Sequence, residues 1–204
     1  MIKFESVYLK RNGKEILSGL NFFVKKNEKV LIQGKSGIGK TTLFKILLGF
    51  EPIDKGRVTF NGLDIVKEHI KDIRQQIFYL SQDIDLKNER VKNLLDEIWE
   101  HNLSKNRNKT HFERWINFLD LNDIILNQSI KELSGGERQR IGLLIGFLLD
   151  RPVWLLDEPT SALGVQQASM VLKYIVKAAS EGLAVILITH NVHHAYPVGN
   201  SFTV

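Results

Sequence analysis

Gly34 to Thr41 read GKSGIGKT, glycines followed by a Lys-Thr pair at a spacing that suits the binding of a polyphosphate. Glycine lets a loop close until its backbone N–H groups point inward at anionic oxygens. Lys40 adds a point charge to such a cradle, and the Thr41 hydroxyl suits Mg²⁺, which takes oxygen ligands in an octahedral array. The run Gly34, Lys35, Ser36, Gly37, Ile38, Gly39, Lys40, Thr41 and Thr42 is therefore the candidate phosphate site. A plain glycine-rich turn is the competing reading, and the flanks argue against it. KVLIQ at 29 to 33 reads as a short apolar strand, and beyond the loop Leu43, Ile46, Leu47 and Phe50 fall at helical spacing. A second candidate cluster lies further along, LSGGERQR from Leu133 to Arg140 and then VWLLDEPTSAL from Val153 to Leu163. In it Ser134 suits a helix N-cap, and Asp157 and Glu158 end an apolar strand. Gln82 and His190 follow two further predicted strands, Ile77 to Leu80 and Ala184 to Thr189. Open α/β sheets gather ligands at the carboxyl ends of their strands, which singles out His190. His193 and His194 have no such warrant and read as surface residues.

The elements that must carry these residues follow from periodicity. Residues 2 to 8 alternate as a strand does, and Val58 to Phe60, Asn61-Gly62 and Leu63 to Ile65 read as a hairpin. The first sixty residues thus hold an antiparallel β element. From Val91 to about Leu126 the pattern turns helical through Leu94, Leu95, Ile98, Trp115, Ile116, Phe118 and Leu119, with a polar interruption at 104 to 109. A helix from about Gly136 to Leu149 and another through Val165, Ala168, Leu172, Ile175 and Ala179 flank the strand at Val153. Alternating apolar strands and helices predict a parallel sheet covered by helices.

Composition bounds the rest. A chain of 204 residues that is 43% hydrophobic can bury one core with room for a small lobe beside it. No apolar run reaches the length of a membrane span, so a role at a membrane requires a partner. The N-terminus has no leader pattern and the chain has no cysteine, which fits a reducing, cytoplasmic setting. The net charge of +5 is spread among Asp and Glu along the chain, so no nucleic acid is expected as a partner. Alanine is absent before Ala162 and then recurs at 168, 178, 179, 184 and 195. That break admits a local fluctuation or a recombined join near 151–163.

LSGGE together with the phosphate loop and LLDEP gives the chain its resemblance to the ATP-binding cassette (ABC) family, whose signature LSGGE is. The resemblance covers nearly the whole chain. It implies a P-loop NTPase (RecA-like) α/β fold, a parallel sheet covered by helices with an N-terminal antiparallel β element and an inserted helical lobe. It also implies one cassette over 1–204, with core segments 1–84 and 134–204 and the helical lobe at 85–133. In the family the Ser and glycine amides of the signature, here Ser134, Gly135, Gly136 and Glu137, complete the ATP site of an opposing subunit. The implied partners are a second cassette, head to tail, and a separate transmembrane permease subunit. The implied cofactors are ATP and Mg²⁺, and the implied location is cytoplasmic, peripheral on the inner face of the cell membrane. By the same resemblance Lys40 holds phosphate, and Thr41, Gln82 and Asp157 serve the metal. Glu158 is the general base, Gln82 the residue linking the site to the membrane partner, and His190 the contact to the γ-phosphate.

Three departures from the family pattern stand out. The adenine-stacking position falls on Arg11, with Tyr8 three residues earlier, instead of on a clear aromatic. The family's SALD is here Ser161-Ala162-Leu163-Gly164, and the sequence given ends at Phe202-Thr203-Val204, within a predicted strand. The stretch from Met1 to about Asp157 resembles small stand-alone cassettes assigned to bacterial metal or iron export. The remainder resembles bacterial sugar-importer ATPases, so a chimera is one expectation. A non-transport ABC ATPase of chromosome maintenance is an alternative, but residues 91 to 126 lack the sustained heptads of its coiled coils. A hydrolysis-impaired chimeric or truncated cassette is another, against which Lys40, Asp157, Glu158 and His190 argue.

Overall fold

The computed structural model describes residues 1–35, 37–101, 109–180, 182–189 and 200–203. In chain order its elements are β1 (Ile2–Arg11), β2 (Lys14–Val24), β3 (Lys29–Gln33), α1 (Lys40–Leu47), β4 (Lys55–Phe60), β5 (Leu63–Asp64), α2 (Lys67–Gln75) and β6 (Ile77–Leu80). There follow α3 (Val91–His101), α4 (Lys109–Phe118), α5 (Asp123–Asn127), a single 3₁₀ turn at Ile130–Glu132, α6 (Gly135–Leu149), β7 (Val153–Asp157), α7 (Val165–Ser180), β8 (Ala184–Ile188) and β9 (Asn200–Thr203). The strands form two sheets, an antiparallel one in the order β2-β1-β4-β5 and a parallel one in the order β6-β7-β8-β3-β9.

The parallel sheet is apolar on both faces because it is covered on both, and its period of two sorts side chains into two cores. Val30, Ile32, Val153, Leu155, Ala184, Ile186 and Ile188 pack with α1 and the antiparallel sheet. Leu31, Trp154, Leu156, Val185 and Leu187 face the other way and pack with α3 to α7. The second core is rich in aromatic contacts: Phe147 stacks on Trp115 at 4.0 Å and on Trp154 at 5.3 Å. Trp115, Leu94 and Leu95 of the helical segment belong to the same cluster as Trp154 of the sheet, so the helices between β6 and α6 share the sheet's core.

Several expectations are modified by local chemistry. The alternation at 2 to 8 breaks at a bulge. Ser6 has φ 47°, the register shifts between Phe4 and Val7, and Val7 and Leu9 turn inward while Tyr8 is left exposed. Phe50 does not join the helix face. Gly49 at φ 68° ends α1, and Phe50 lies exposed beneath the Arg74 guanidinium, 4.2 Å from its ring centre. Val165 opens α7 but is exposed. The hairpin at Asn61-Gly62 is present, with φ 51° and 84° at the two turn residues and Phe60 paired with Leu63. β9 lies along β3 as an edge strand of the parallel sheet.

Candidate active site

The phosphate loop joins the carboxyl end of β3 to α1, as the strand-loop-helix reading requires. Gly37 and Gly39 take φ 78° and 103°, a region that a side chain would make costly. At Gly39 even a methyl group would come within 2.9 Å of Ile16 Cγ2. Because Gly39 is also the N-cap of α1, this helix starts with no side-chain cap and no acidic residue in its first turn. Its first N–H groups are left for an anion, on the positive end of the helix dipole. Lys40 is 94% buried, and its Nζ donates to the carbonyls of Gly34 and Lys35, each at 2.9 Å. The ammonium is thereby held at the mouth of the loop.

β7 delivers two carboxylates to the same place. Asp157 is buried, and one of its oxygens accepts from the Thr41 hydroxyl at 2.6 Å, which ties the strand to the helix start. A hydroxyl and a carboxylate brought together in this way are hard oxygen donors, so the residues present fit Mg²⁺ beside a polyphosphate. Half-buried Tyr79, one strand away, has its hydroxyl pushed up to about 12 by burial and then by the charge of Asp157, so it stays neutral. Glu158 follows the strand with φ 52°, a left-handed conformation that costs a non-glycine residue on the order of 1 kcal/mol or more. The surroundings hold it there. Its N–H donates to Ile188 O at 2.9 Å, while its carbonyl accepts from Gln139 Nε2 at 2.9 Å and from the Ser161 hydroxyl at 3.1 Å.

Gly37, Gly39, Lys40, Thr41, Thr42, Gln82, Asp157 and Glu158 line one cavity of about 200 Å³, closed on one side by Ile16 and Ile188. Eight of the eighteen predicted site residues thus meet at one cavity, and Gly34 and Lys35 adjoin it through the bonds that their carbonyls accept from Lys40. Ser36 and His190 lie outside the described residues. Arg11 is not brought to this cavity. Its guanidinium is bound by Glu51 and by the Pro52 carbonyl at 2.7 Å, with Asp54 at 3.7 Å. Tyr8 instead packs its hydroxyl end over Gly19.

The signature residues are placed elsewhere. Ser134 caps α6, and the cap is reciprocal. The Ser134 hydroxyl accepts from Glu137 N–H at 3.3 Å, while Ser134 N–H and its hydroxyl both donate to the Glu137 carboxylate at 2.7 Å. These bonds, the hydroxyl one first, hold the Glu137 carboxyl below its ordinary range. Ser134 and Gly135 are exposed, and Ser134, Gly135, Gly136 and Glu137 are absent from the cavity lining of their own chain.

This geometry has a counterpart in known proteins. The family model described as ABC transporter matches residues 17–161, a span that contains both the cradle and the capped helix. The chain belongs to the ABC transporter family. As an ABC cassette it binds and hydrolyses ATP, with Mg²⁺ as the usual metal. It is 27% identical to a probable ABC transporter ATP-binding protein, p29, of Mycoplasma pneumoniae, over 96% of this chain and 84% of that protein. It is 32% identical to the spermidine/putrescine import ATP-binding protein PotA of Clostridium novyi, over 100% of this chain and 59% of that protein. The fold matches a dimeric ATP-binding cassette solved in a post-hydrolysis state with ADP and Pi, with TM-score 0.86, 21% identity, and coverage of 100% of this chain and 94% of that one.

These similarities also correct one expectation. The matches to both relatives extend over 96% and 100% of the chain, so a recombined join near 151–163 is not borne out. Packing accounts for some of the late alanines: Ala168 and Ala179 of α7 and Ala184 of β8 are buried, where small side chains suit close approach of helix and sheet.

Sequence reasoning missed one residue of the cavity wall and one that binds the loop beside it. Ile16 supplies the apolar wall beside the phosphate loop, and its only signal was one apolar residue in a mixed strand. Gln139 is 1% exposed and binds the loop after β7. Its signal was an uncharged polar residue at i with glycines at i+3 and i+7, Gly142 and Gly146, on one face of α6.

Proposed function

We propose that this ABC cassette pairs head to tail with a second cassette so that each MgATP is held between the phosphate loop of one copy and the Ser134 helix of the other. The observation that carries this reading is the separation of the two anion-binding helix starts: one lines the cavity and the other stands exposed away from it. The cavity supports it too, since about 200 Å³ is below the ~300–1,000 Å³ of a complete small-molecule pocket. A wall supplied by a second copy would complete it. The dimeric form of the similar cassette agrees with this arrangement.

Within the site, Lys40 and the N–H groups at the start of α1 bind and orient the phosphates. Bound Mg²⁺ would supply charge neutralisation at the phosphate oxygens, and Thr41, Asp157 and Gln82 would hold it. Glu158 polarises the attacking water, a contribution of roughly a hundred- to ten-thousand-fold for a positioned base. Ser134 with the amides of Gly135 and Gly136, next to Glu137, meets the γ-phosphate of the opposite copy, and His190 contacts the γ-phosphate of its own. The adenine contact is assigned to the β1–β2 end of the antiparallel sheet, where Arg11 lies.

Among the described residues no helix is long and apolar enough to cross a membrane. In this reading the cassette drives transport through a separate permease and docks at the cytoplasmic inner face of the membrane, in keeping with its similarity to an import ATP-binding protein. We divide the cassette into a nucleotide-binding core, 1–84 and 134–204, and a helical segment, 85–133, that with Gln82 meets the permease. Mixing Ser134→Ala chains with Lys40→Ala chains tests the shared site. Each variant alone should be nearly inactive, and the mixture should regain activity because one of its two sites carries neither lesion. A mixture no more active than its parents removes the head-to-tail arrangement.

A further inference from the structure

The helix that begins at Ser134 is joined to the catalytic loop of its own chain by one buried side chain. Gln139, less than two turns into α6, is 1% exposed, and a buried amide is costly unless both its ends are paired. Both are. Its Nε2 donates to the Glu158 carbonyl at 2.9 Å, and its Oε1 accepts from Ala162 N–H at 3.0 Å. The amide orientation is set by these partners, because the reverse would oppose two oxygens at Glu158 and two N–H groups at Ala162. A single side chain thus spans the loop from the proposed base to the residue four positions on.

What it holds is strained. Glu158 sits at φ 52°, pinned on one side by its N–H bond to Ile188 O and on the other by the bonds its carbonyl accepts, from Gln139 Nε2 at 2.9 Å and, within the loop itself, from the Ser161 N–H and hydroxyl at 3.1 Å each. Rotation of this residue would swing its carboxylate relative to the phosphate loop. The start of α6 bears on the same loop, since a methyl group at Gly136 would lie 2.8 Å from the Ala162 carbonyl oxygen. There is no slack between helix and loop.

We propose that Gln139 is a positioning residue for Glu158 and carries to it the state of the Ser134 helix. When Ser134 engages the phosphate of the opposing copy, any displacement of α6 reaches the base of its own site through the Gln139 amide. Each chain thereby sets its base according to whether its partner's nucleotide is in place. This rests on the shared-site reading above.

The test uses two variants of the full chain. Gln139→Met keeps the length but neither donates nor accepts, and Gln139→Glu keeps the acceptor for Ala162 N–H while losing the donor to Glu158. The expected result is a kcat at least about tenfold lower, as for a misplaced catalytic group, with MgATP binding by equilibrium titration within about twofold of the parent. The nucleotide-trapped dimer formed on a Glu158→Gln background should persist when Gln139→Met is added, as read by size-exclusion chromatography. A kcat within about twofold of the parent overturns the proposal, and so does an equal loss of kcat and MgATP binding, which marks a merely structural residue. If thermal melting shows that Gln139→Met does not fold, Gln139→Glu carries the same test. Wild-type turnover by Glu158→Gln would instead remove the underlying assignment of the base, whereas an inactive Glu158→Gln beside fully active Gln139 variants sinks this inference alone.

Discussion

The starts of α1 and α6 offer the same physics, free N–H groups on the positive end of a helix dipole, in opposite states. α1 begins at a left-handed glycine with no side-chain cap and carries a buried lysine in its first turn. α6 begins at an exposed serine whose N–H and hydroxyl are both taken by the carboxylate of Glu137. The first start leaves its donors to a ligand inside the chain's own cavity. The second has its Ser134 N–H and hydroxyl and its Glu137 N–H held within its own cap while it stands exposed. In the proposed head-to-tail pair this contrast would let one chain carry both halves of an anion site without binding its own second half.

The sharpest way to break this comparison is at the uncapped start. Lys40→Ala removes the buried charge and its bonds to the Gly34 and Lys35 carbonyls, and turnover should fall roughly a thousandfold, on the scale of losing a preorganised electrostatic donor. A steady-state ATPase assay reads this, and near-parental turnover would mean that the loop, not the lysine, holds the phosphates. Comparable in size is the effect of Glu158→Gln. It should cost on the order of a hundred- to ten-thousand-fold in kcat while MgATP binding stays intact, and sizing in MgATP should reveal a persistent dimer. Dissociation of that species on nucleotide binding would contradict the shared site.

A smaller effect separates neighbouring glycines at the capped start. A methyl group at Gly136 meets the Ala162 carbonyl oxygen at 2.8 Å, whereas one at Gly135 meets the Ala162 side chain at an ordinary 3.7 Å. Gly136→Ala should lose about 1–3 kcal/mol of stability to overpacking. Gly135→Ala should gain up to ~1 kcal/mol from helix propensity. Equal effects of the two in urea unfolding would show that α6 and the loop are not in close contact.

How far the sequence could be read depended on how local each determinant is. β3 and β6 were legible because a short apolar run bounded by polar residues has few other uses, and the β4–β5 hairpin because Asn61-Gly62 suits two successive positive φ angles. The phosphate loop, Asp157 and Glu158 were legible for the same reason, each lying within one short segment at the end of a strand. α2 was not. Its sequence KEHIKDIRQ buries only Ile73 and starts at Val66 without a side-chain cap. β2 was hidden because its buried and exposed positions do not alternate regularly, opposite the bulges of β1. Arg11 drew attention by its position, but the fold brings Glu51 and Asp54 to it from forty residues away. Gln139 escaped notice because its partners, Glu158 and Ala162, are brought to it by the docking of α6 on the sheet.

The smallest predicted effect tests whether the capped start is held by charge. Glu137 has its carboxyl held below the ordinary range by the Ser134 hydroxyl and then by the Ser134 N–H. A carboxyl depressed on folding stabilises the fold fully above its unfolded value, near 4.5, and loses that contribution as pH falls through the folded value. Glu137→Gln keeps an amide oxygen for the reciprocal cap but no charge, so its stability deficit should be largest near neutral pH and shrink toward about pH 3. Glu137→Ala loses the cap as well and should cost about 0.5–1.5 kcal/mol near neutral pH. Chemical denaturation at both pH values measures each deficit. If the glutamine deficit does not change with pH, charge is not what closes the second helix start. The contrast with the lysine-held first start would then reduce to hydrogen bonding alone.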